Sequence, residues 1–150
     1  MASRGIGAHE PAATMSTAPP PFDRLALPRE CNAIAPDGSE VRALLGLAGG
    51  GMAHFRLRGG QVSKAVVHRS VEEIWYIVAG RGSMWRRDAA HEQVVALEPG
   101  VCVTIPLGTQ FQFRADAGTE ALEVIGVTMP PWPGADEAVA VAGPWRPSAG

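Results

Sequence analysis

The sequence predicts an all-β fold, with a sandwich, a jelly roll or a small closed barrel as the architectures to consider. Short runs rich in Val, Ile, Leu and aromatic residues recur about every 8 to 12 residues through the middle of the chain, separated by turn sequences. No stretch keeps a 3.6-residue apolar period over three turns without Gly or Pro, although residues 135–143 are compatible with one short helix. We therefore expect antiparallel strands joined by turns.

Each strand is predicted by its content of β-branched and aromatic residues, which pack well on a pleated surface. In chain order the expected strands are VRALLGL (41–47), MAHFRLR (52–58), KAVVH (64–68), IWYIVAG (74–80), SMWRR (83–87), QVVAL (93–97), VCVTIP (101–106), FQFRA (111–115) and LEVIGVTM (122–129). Glycine, proline and aspartate, which favour turns, bound these runs in PDGS (36–39), AGGG (48–51), RGG (58–60), GRG (80–82), EPG (98–100), PLGT (106–109) and DAGTE (116–120).

The two ends of the chain differ from its middle. Residues 1–22 combine Pro, Ala, Ser and Gly without an apolar period, which predicts a disordered N-terminal arm. Residues 131–150 are also rich in Pro and Gly, but Trp132 and Trp145 are large apolar groups that favour a covering surface. We expect a barrel over 23–130 and a tail over 131–150 that docks in part, with Trp132 at the barrel mouth or on a dimer partner.

Composition narrows the class of protein. A chain of 150 residues with 46% hydrophobic and 19% charged residues fits one globular domain with a hydrophobic core. The net charge of -2 is scattered, so nucleic acid and membrane surfaces are not expected partners. Two unpatterned cysteines, no N-terminal apolar segment and no run of about 18 apolar residues predict a cytoplasmic protein.

A first motif lies between two of the predicted turns. Gly60 is followed after five residues by position 66, and then by His68, Glu73 and Gly80. This spacing resembles the first cupin motif, which has a glycine, two histidines one residue apart, a glutamate and a closing glycine. Val66 stands where the first of those histidines belongs.

A second motif follows about 20 residues later. Gly100, Pro106, Gly108 and position 111 have the spacing of the second cupin motif, but Phe111 stands where that motif has a histidine. The chain is thus similar to a small single-domain cupin with a degenerate metal motif over residues 38–130. The resemblance implies the cupin double-stranded β-helix, a small antiparallel jelly-roll barrel often found as a homodimer.

The resemblance also implies a site on the inner face of the barrel. In metal-binding cupins three histidines and one glutamate hold Fe, Mn, Ni, Cu or Zn, and here His68 and Glu73 remain. We expect either no cofactor or one divalent transition metal, with His54 or Gln110 as possible additional ligands. Gln110 would enter the barrel only if a bulge shifted its strand. Alternation instead directs His54 outward.

The same residues suit acid/base chemistry without a metal, since apolar surroundings move the pKa values of charged groups towards neutrality. His68, Glu73 and Lys64 are the candidate catalytic residues, although a lysine at a strand end such as Lys64 can equally extend into water. The alternative for Glu73 and His68 is a surface charge and a core histidine. The candidate substrate-binding residues are the two motif positions, the residues that share a strand face with Glu73, two residues of the following hairpin, and Gln110 if its strand is shifted. In chain order they are Val66, Trp75, Ile77, Trp85, Arg87, Gln110 and Phe111.

Two classes of function follow. The first is a small-molecule enzyme, an isomerase, cyclase or lyase that uses His68 and Glu73 for proton transfer on a small, partly apolar substrate. The second is a non-catalytic cupin that binds a small ligand through its apolar pocket. A metal-dependent cupin oxygenase is a further alternative, and a homodimer is expected in each case.

Overall fold

The computed structural model describes residues 20–149, which form two antiparallel sheets packed face to face. The strands are β1 (Ala33–Ile34), β2 (Glu40–Leu47), β3 (Gly50–Arg58), β4 (Val66–His68), β5 (Glu72–Ala79), β6 (Gly82–Arg87), β7 (Glu92–Leu97), β8 (Cys102–Ile105), β9 (Gln110–Ala115), β10 (Ala121–Met129) and β11 (Ala138–Ala140). The all-β prediction is confirmed, and β2 to β10 lie on the nine predicted runs.

The strands divide between a large and a small sheet. The large sheet has the order β1-β2-β3-β10-β5-β8, and the small sheet has the order β11-β4-β9-β6-β7. The chain crosses repeatedly from one sheet to the other, so that strands distant in sequence become neighbours. This is the jelly-roll arrangement. It puts the two strands of the first motif in opposite sheets: β4, with His68, in the small sheet and β5, with Glu73, in the large sheet.

The core lies between the sheets. In β5, Glu73, Trp75 and Ile77 are buried, whereas the residues that alternate with them are exposed. Trp75 packs on Phe55 from β3 and, edge to face, on Phe113 from β9, with ring centroids 5.5 and 4.9 Å apart. Large aromatic groups from both sheets therefore fill the interior, which stabilises the closed arrangement through burial of apolar area.

Gly80 shows why the first motif ends in glycine. It directly follows β5, and its φ is 76°, in the left-handed region that side chains disfavour. A Cβ at this position would also overlap the carbonyl oxygen of Ala121 in β10. The turn into β6 therefore requires a residue without a side chain.

The C-terminal segment packs on the small sheet. The short helix considered for residues 135–143 is a single 3-10 turn, Ala135–Glu137, followed by β11. Residues 138–140 form a strand and not a helix because β11 pairs with the open edge of β4. Further along, the Gln112 side chain hydrogen-bonds the backbone of Trp145, and the Arg114 guanidinium lies 4.1 Å from the centre of that indole ring.

The predicted arm, residues 1–22, falls almost wholly outside the described residues. Within residues 20–149, no helix has the length and apolar character needed to cross a bilayer.

Candidate functional site

A cavity of about 440 Å³ opens between the two sheets. Its walls come from β1 to β3, β5 and β10 of the large sheet, from β4, β9 and β11 of the small sheet, and from the segment that contains Trp132. Most lining residues are aliphatic or aromatic, and the ionisable ones are Asp37, His68 and Glu73. We call this space the intersheet cavity.

Glu73 lies in the interior because strand alternation in β5 puts it on the same face as Trp75. Only 4% of its surface is exposed, and its Oε2 accepts a hydrogen bond of 2.9 Å from Nε1 of Trp75. Burial raises the pKa of Glu73 to about 7, with the Trp75 hydrogen bond acting against that shift and the charge of Asp37 adding to it. Near neutral pH this carboxyl group can therefore both donate and accept a proton.

His68 ends β4 and faces the same cavity from the small sheet. Its ring makes edge contacts with Phe111 and Trp132, each with ring centroids 5.2 Å apart. Burial lowers the pKa of His68, and the charge of Glu137 acts against that shift. Nδ1 is enclosed with no hydrogen-bond partner among residues 20–149. The imidazole is therefore neutral at pH 7, and Nε2 is the nitrogen that a ligand can reach.

Glu137 fixes the C-terminal segment to the connection between β4 and β5. It is buried, and its carboxylate accepts hydrogen bonds from the backbone N–H of Ser70 and Val71 and from the Ser70 hydroxyl, at 2.5, 2.7 and 2.8 Å. Three donors from the β4–β5 connection thus bind one carboxylate of the C-terminal segment. Trp132 precedes Glu137 by five residues in this segment, and its ring lies against His68 in the cavity lining.

Asp37 is a cavity residue that sequence reasoning missed. It belongs to the turn between β1 and β2, and its Oδ1 accepts hydrogen bonds from the Ser39 backbone N–H and hydroxyl at 2.9 and 2.7 Å. Burial raises the pKa of Asp37, against the Ser39 hydrogen bonds and the charge of Lys64. In sequence this residue is an ordinary turn aspartate, and no local signal shows that its turn closes one side of the cavity.

Five of the residues predicted for the site line the cavity together: Val66, His68, Glu73, Trp75 and Phe111. The others lie elsewhere, although all of them except Gln110 belong to predicted strands.

Lys64 is exposed and is not among the lining residues; its backbone N–H donates to the carbonyl oxygen of Asp37 at 2.8 Å. Ile77 is fully buried in the core beyond the cavity. Gln110 lies outside the cavity too. Val66 pairs with Phe111 and Val67 with Gln110 in an unshifted register, so that Phe111 faces the cavity and Gln110 the opposite side.

Trp85, Arg87 and His54 are also outside the cavity. Met84 occupies the core, so alternation in β6 sends Trp85 to the outer side, where its Nε1 donates to Glu92 at 2.9 Å. Arg87 has the same parity and is exposed at the end of β6. His54 lies on the face of β3 opposite Phe55, as alternation predicts.

His54 is nevertheless not solvated. Only 3% of its surface is exposed, and its Nε2 lies 3.2 Å from Oε1 of Glu123 in the adjacent strand β10.

The residues present do not fit the metal site of the cupin motifs. A selective transition-metal site generally needs three or more fixed ligands. Within residues 20–149, no group of three or more His, Cys, Asp or Glu side chains is arranged to hold a metal ion. Two ligand positions of the motifs are instead the almost fully buried hydrocarbon side chains of Val66 and Phe111.

Comparison with known proteins finds no matching family model and no matching curated sequence. Solved structures do match. A double-stranded β-helix protein from Klebsiella pneumoniae aligns with a TM-score of 0.56 and 14% identity, over 70% of this chain and 85% of that one. KdgF from Halomonas sp. aligns with a TM-score of 0.56 and 17% identity, over 70% and 89% of the two chains.

A third similar structure is a tryptophan-to-phenylalanine variant of oxalate decarboxylase from B. subtilis. It aligns with a TM-score of 0.61 and 15% identity, over 70% of this chain and 29% of that chain. Identities this low show the fold alone. Together with the two-sheet topology, these similarities establish that the chain has the cupin fold, a double-stranded β-helix.

Proposed function

We propose that the protein is a small-molecule enzyme that catalyses an acid/base isomerisation, cyclisation or elimination, with His68 and Glu73 as its proton-transfer residues. The observation that carries this proposal is the presence of a neutral imidazole and a carboxyl group of pKa about 7 in one largely apolar cavity. Efficient general acid/base catalysis needs groups whose pKa values lie near the working pH.

The chemistry follows from the two protonation states. Neutral His68 accepts a proton through Nε2 from a carbon or oxygen of the substrate, and protonated Glu73 donates one to another substrate atom. In an isomerisation the two transfers move one hydrogen along the substrate. In an elimination, the proton from Glu73 leaves with the departing group. Return of the proton from His68 to Glu73 through water then restores the starting state.

The cavity supports this role by surrounding the two groups with a largely apolar lining. Phe55, Phe111 and Trp132 line the cavity, and the rings of Phe111 and Trp132 contact His68. A low-dielectric enclosure strengthens electrostatic interactions with a developing charge.

A non-catalytic ligand-binding protein is the second candidate, because the predominantly apolar lining with few polar groups is also typical of binding pockets. The two candidates differ in what His68→Ala does. Loss of proton transfer supports the enzyme, whereas weaker binding of a co-purifying ligand with no reaction in any variant supports the binding protein.

Proton transfer can be measured before the substrate is known. The full chain is incubated in D₂O with a panel of small cyclic ketones and hydroxyketones, and deuterium incorporation is followed by NMR. Glu73→Gln and His68→Ala are each expected to slow the exchange by about a hundredfold or more. Glu72→Gln and His91→Ala are the matched controls, because both residues are exposed and outside the cavity. Exchange that is equally fast in all variants would contradict the proposal.

A further inference from the structure

The intersheet cavity has an unusual charge balance. Its lining contains the two carboxyl groups of Asp37 and Glu73, and among residues 20–149 no lysine or arginine lines it. The positive charge of Lys64 acts on Asp37 by lowering its pKa, but Lys64 is an exposed residue outside the cavity lining. An anionic ligand would therefore meet two acidic groups and no fixed cation.

The hydrogen-bonding groups of the cavity also favour a ligand that donates hydrogen bonds over an anionic one. Ser39 occupies Oδ1 of Asp37, and the Trp75 indole occupies Oε2 of Glu73. No hydrogen bond within residues 20–149 engages the second oxygen of either carboxyl group, and neither of these oxygens is among the fully enclosed polar atoms. The cavity thus offers a free acceptor oxygen on Asp37 and, whenever Glu73 is ionised, a second one on Glu73, whereas the indole N–H of Trp75 is already used as a donor.

Aromatic faces complete the arrangement. Phe55, Trp75, Phe111 and Trp132 all line the cavity. Aromatic rings attract cations through their negative faces, and the interaction strengthens when the site is shielded from water. A cation on an apolar skeleton satisfies the acidic groups and the rings together.

We propose that the intersheet cavity binds an organic amine in its ammonium form, on a compact apolar skeleton, and that Asp37 is the carboxylate that pairs with it. This assignment deepens the proposed function by naming the ligand class of the same cavity. Glu73 and His68 remain free for proton transfer. Asp37 suits the pairing role because two donors of Ser39, its backbone N–H and its hydroxyl, fix the orientation of the Asp37 carboxylate.

Three probes with nearly the same skeleton test the assignment: 2-phenylethylammonium, 2-phenylethanol and phenylacetate. Their affinities for the full chain are measured by NMR titration at neutral pH. The ammonium probe is expected to bind at least about tenfold more tightly than phenylacetate, since a charge-assisted hydrogen bond in a shielded site is gained. The neutral alcohol is expected between the two.

Asp37→Asn is the diagnostic variant, because the amide keeps the size of the side chain and can still accept hydrogen bonds from Ser39. It should reduce the preference for ammonium over carboxylate by about tenfold. Asp116→Asn is the matched control, since Asp116 is an exposed turn residue outside this cavity, and it should leave the preference unchanged. The comparison of the three probes uses the unaltered chain, so it tests the assignment even if the Asp37→Asn variant does not fold.

The assignment is overturned if phenylacetate binds as tightly as the ammonium probe, if none of the three probes binds, or if Asp37→Asn keeps the full preference. These readouts are separate from proton transfer. Lost ammonium preference with intact deuterium exchange contradicts the ligand class alone, whereas intact preference with exchange that is insensitive to His68 and Glu73 contradicts the proposed function alone.

Discussion

The pH dependence of folding stability gives a direct measure of the environment of Glu73. Burial raises its pKa from 4.5 to about 7. Between these two values the folded chain holds a proton that the unfolded chain has released, so the free energy of unfolding decreases as the pH rises. A shift of this size corresponds to about 3 kcal/mol, lost across that range and not recovered at higher pH.

Glu73→Gln removes this titration while keeping an oxygen that can accept the Trp75 hydrogen bond. Relative to the unaltered chain, the variant should gain about 3 kcal/mol of unfolding free energy between pH 4.5 and pH 8. Urea denaturation at several pH values, followed by circular dichroism, measures this difference. Glu72→Gln is the control, because Glu72 is the exposed neighbour on the same strand.

A stability difference between Glu73→Gln and the unaltered chain that stays constant within about 1 kcal/mol over this pH range would refute the reasoning. It would mean that the carboxyl group of Glu73 ionises as easily in the folded state as in water. The group would then lie in a solvated environment, and its assignment as a neutral-pH proton donor would fail.

Three further predictions concern the walls of the cavity. Glu137→Gln should lower the free energy of unfolding by about 2 kcal/mol, measured by urea denaturation, because charge-assisted hydrogen bonds become neutral or are lost. Trp132→Ala should raise the pKa of His68 towards its usual value, seen by NMR titration, because removing the indole lets water reach the imidazole. The double change Val66→His and Phe111→His should raise the affinity for Co²⁺ by on the order of tenfold or more, measured by absorption spectroscopy, since it restores the missing donors.

Each of these predictions has a matched control. Asp136→Asn, next to Glu137 but exposed, should leave stability nearly unchanged. Tyr76→Ala removes an exposed aromatic ring outside the cavity and should leave the pKa of His68 unchanged. Gln110→His adds a histidine to β9 on the side opposite the cavity and should not confer the Co²⁺ affinity. A variant that behaves like its control would contradict the role given to that wall.

Much of the fold could be predicted from local sequence. The runs of β-branched and aromatic residues predict β2 to β10 because side-chain alternation and turn chemistry are local properties. Alternation likewise predicts that Glu73 and Trp75 share a buried face. The cupin fold is predicted from the resemblance of the two glycine-containing motifs to the cupin motifs in spacing.

What remained was decided by pairing between distant segments. Residues 138–140 form a strand because β4 offers them an open edge, which no local preference reveals. His54 is buried on the outer face because β10 brings Glu123 beside it.

The candidate site divides in the same way. The sequence by itself determined that His68 and Glu73 lie on motif strands, with hydrocarbon side chains in place of two ligands. Only the tertiary structure brought Asp37 into the same cavity, placed Lys64 and Arg87 outside it and packed Trp132 against His68. The physical reason is that a residue's face follows from its own strand, whereas its neighbours across a cavity follow from how whole sheets close on one another.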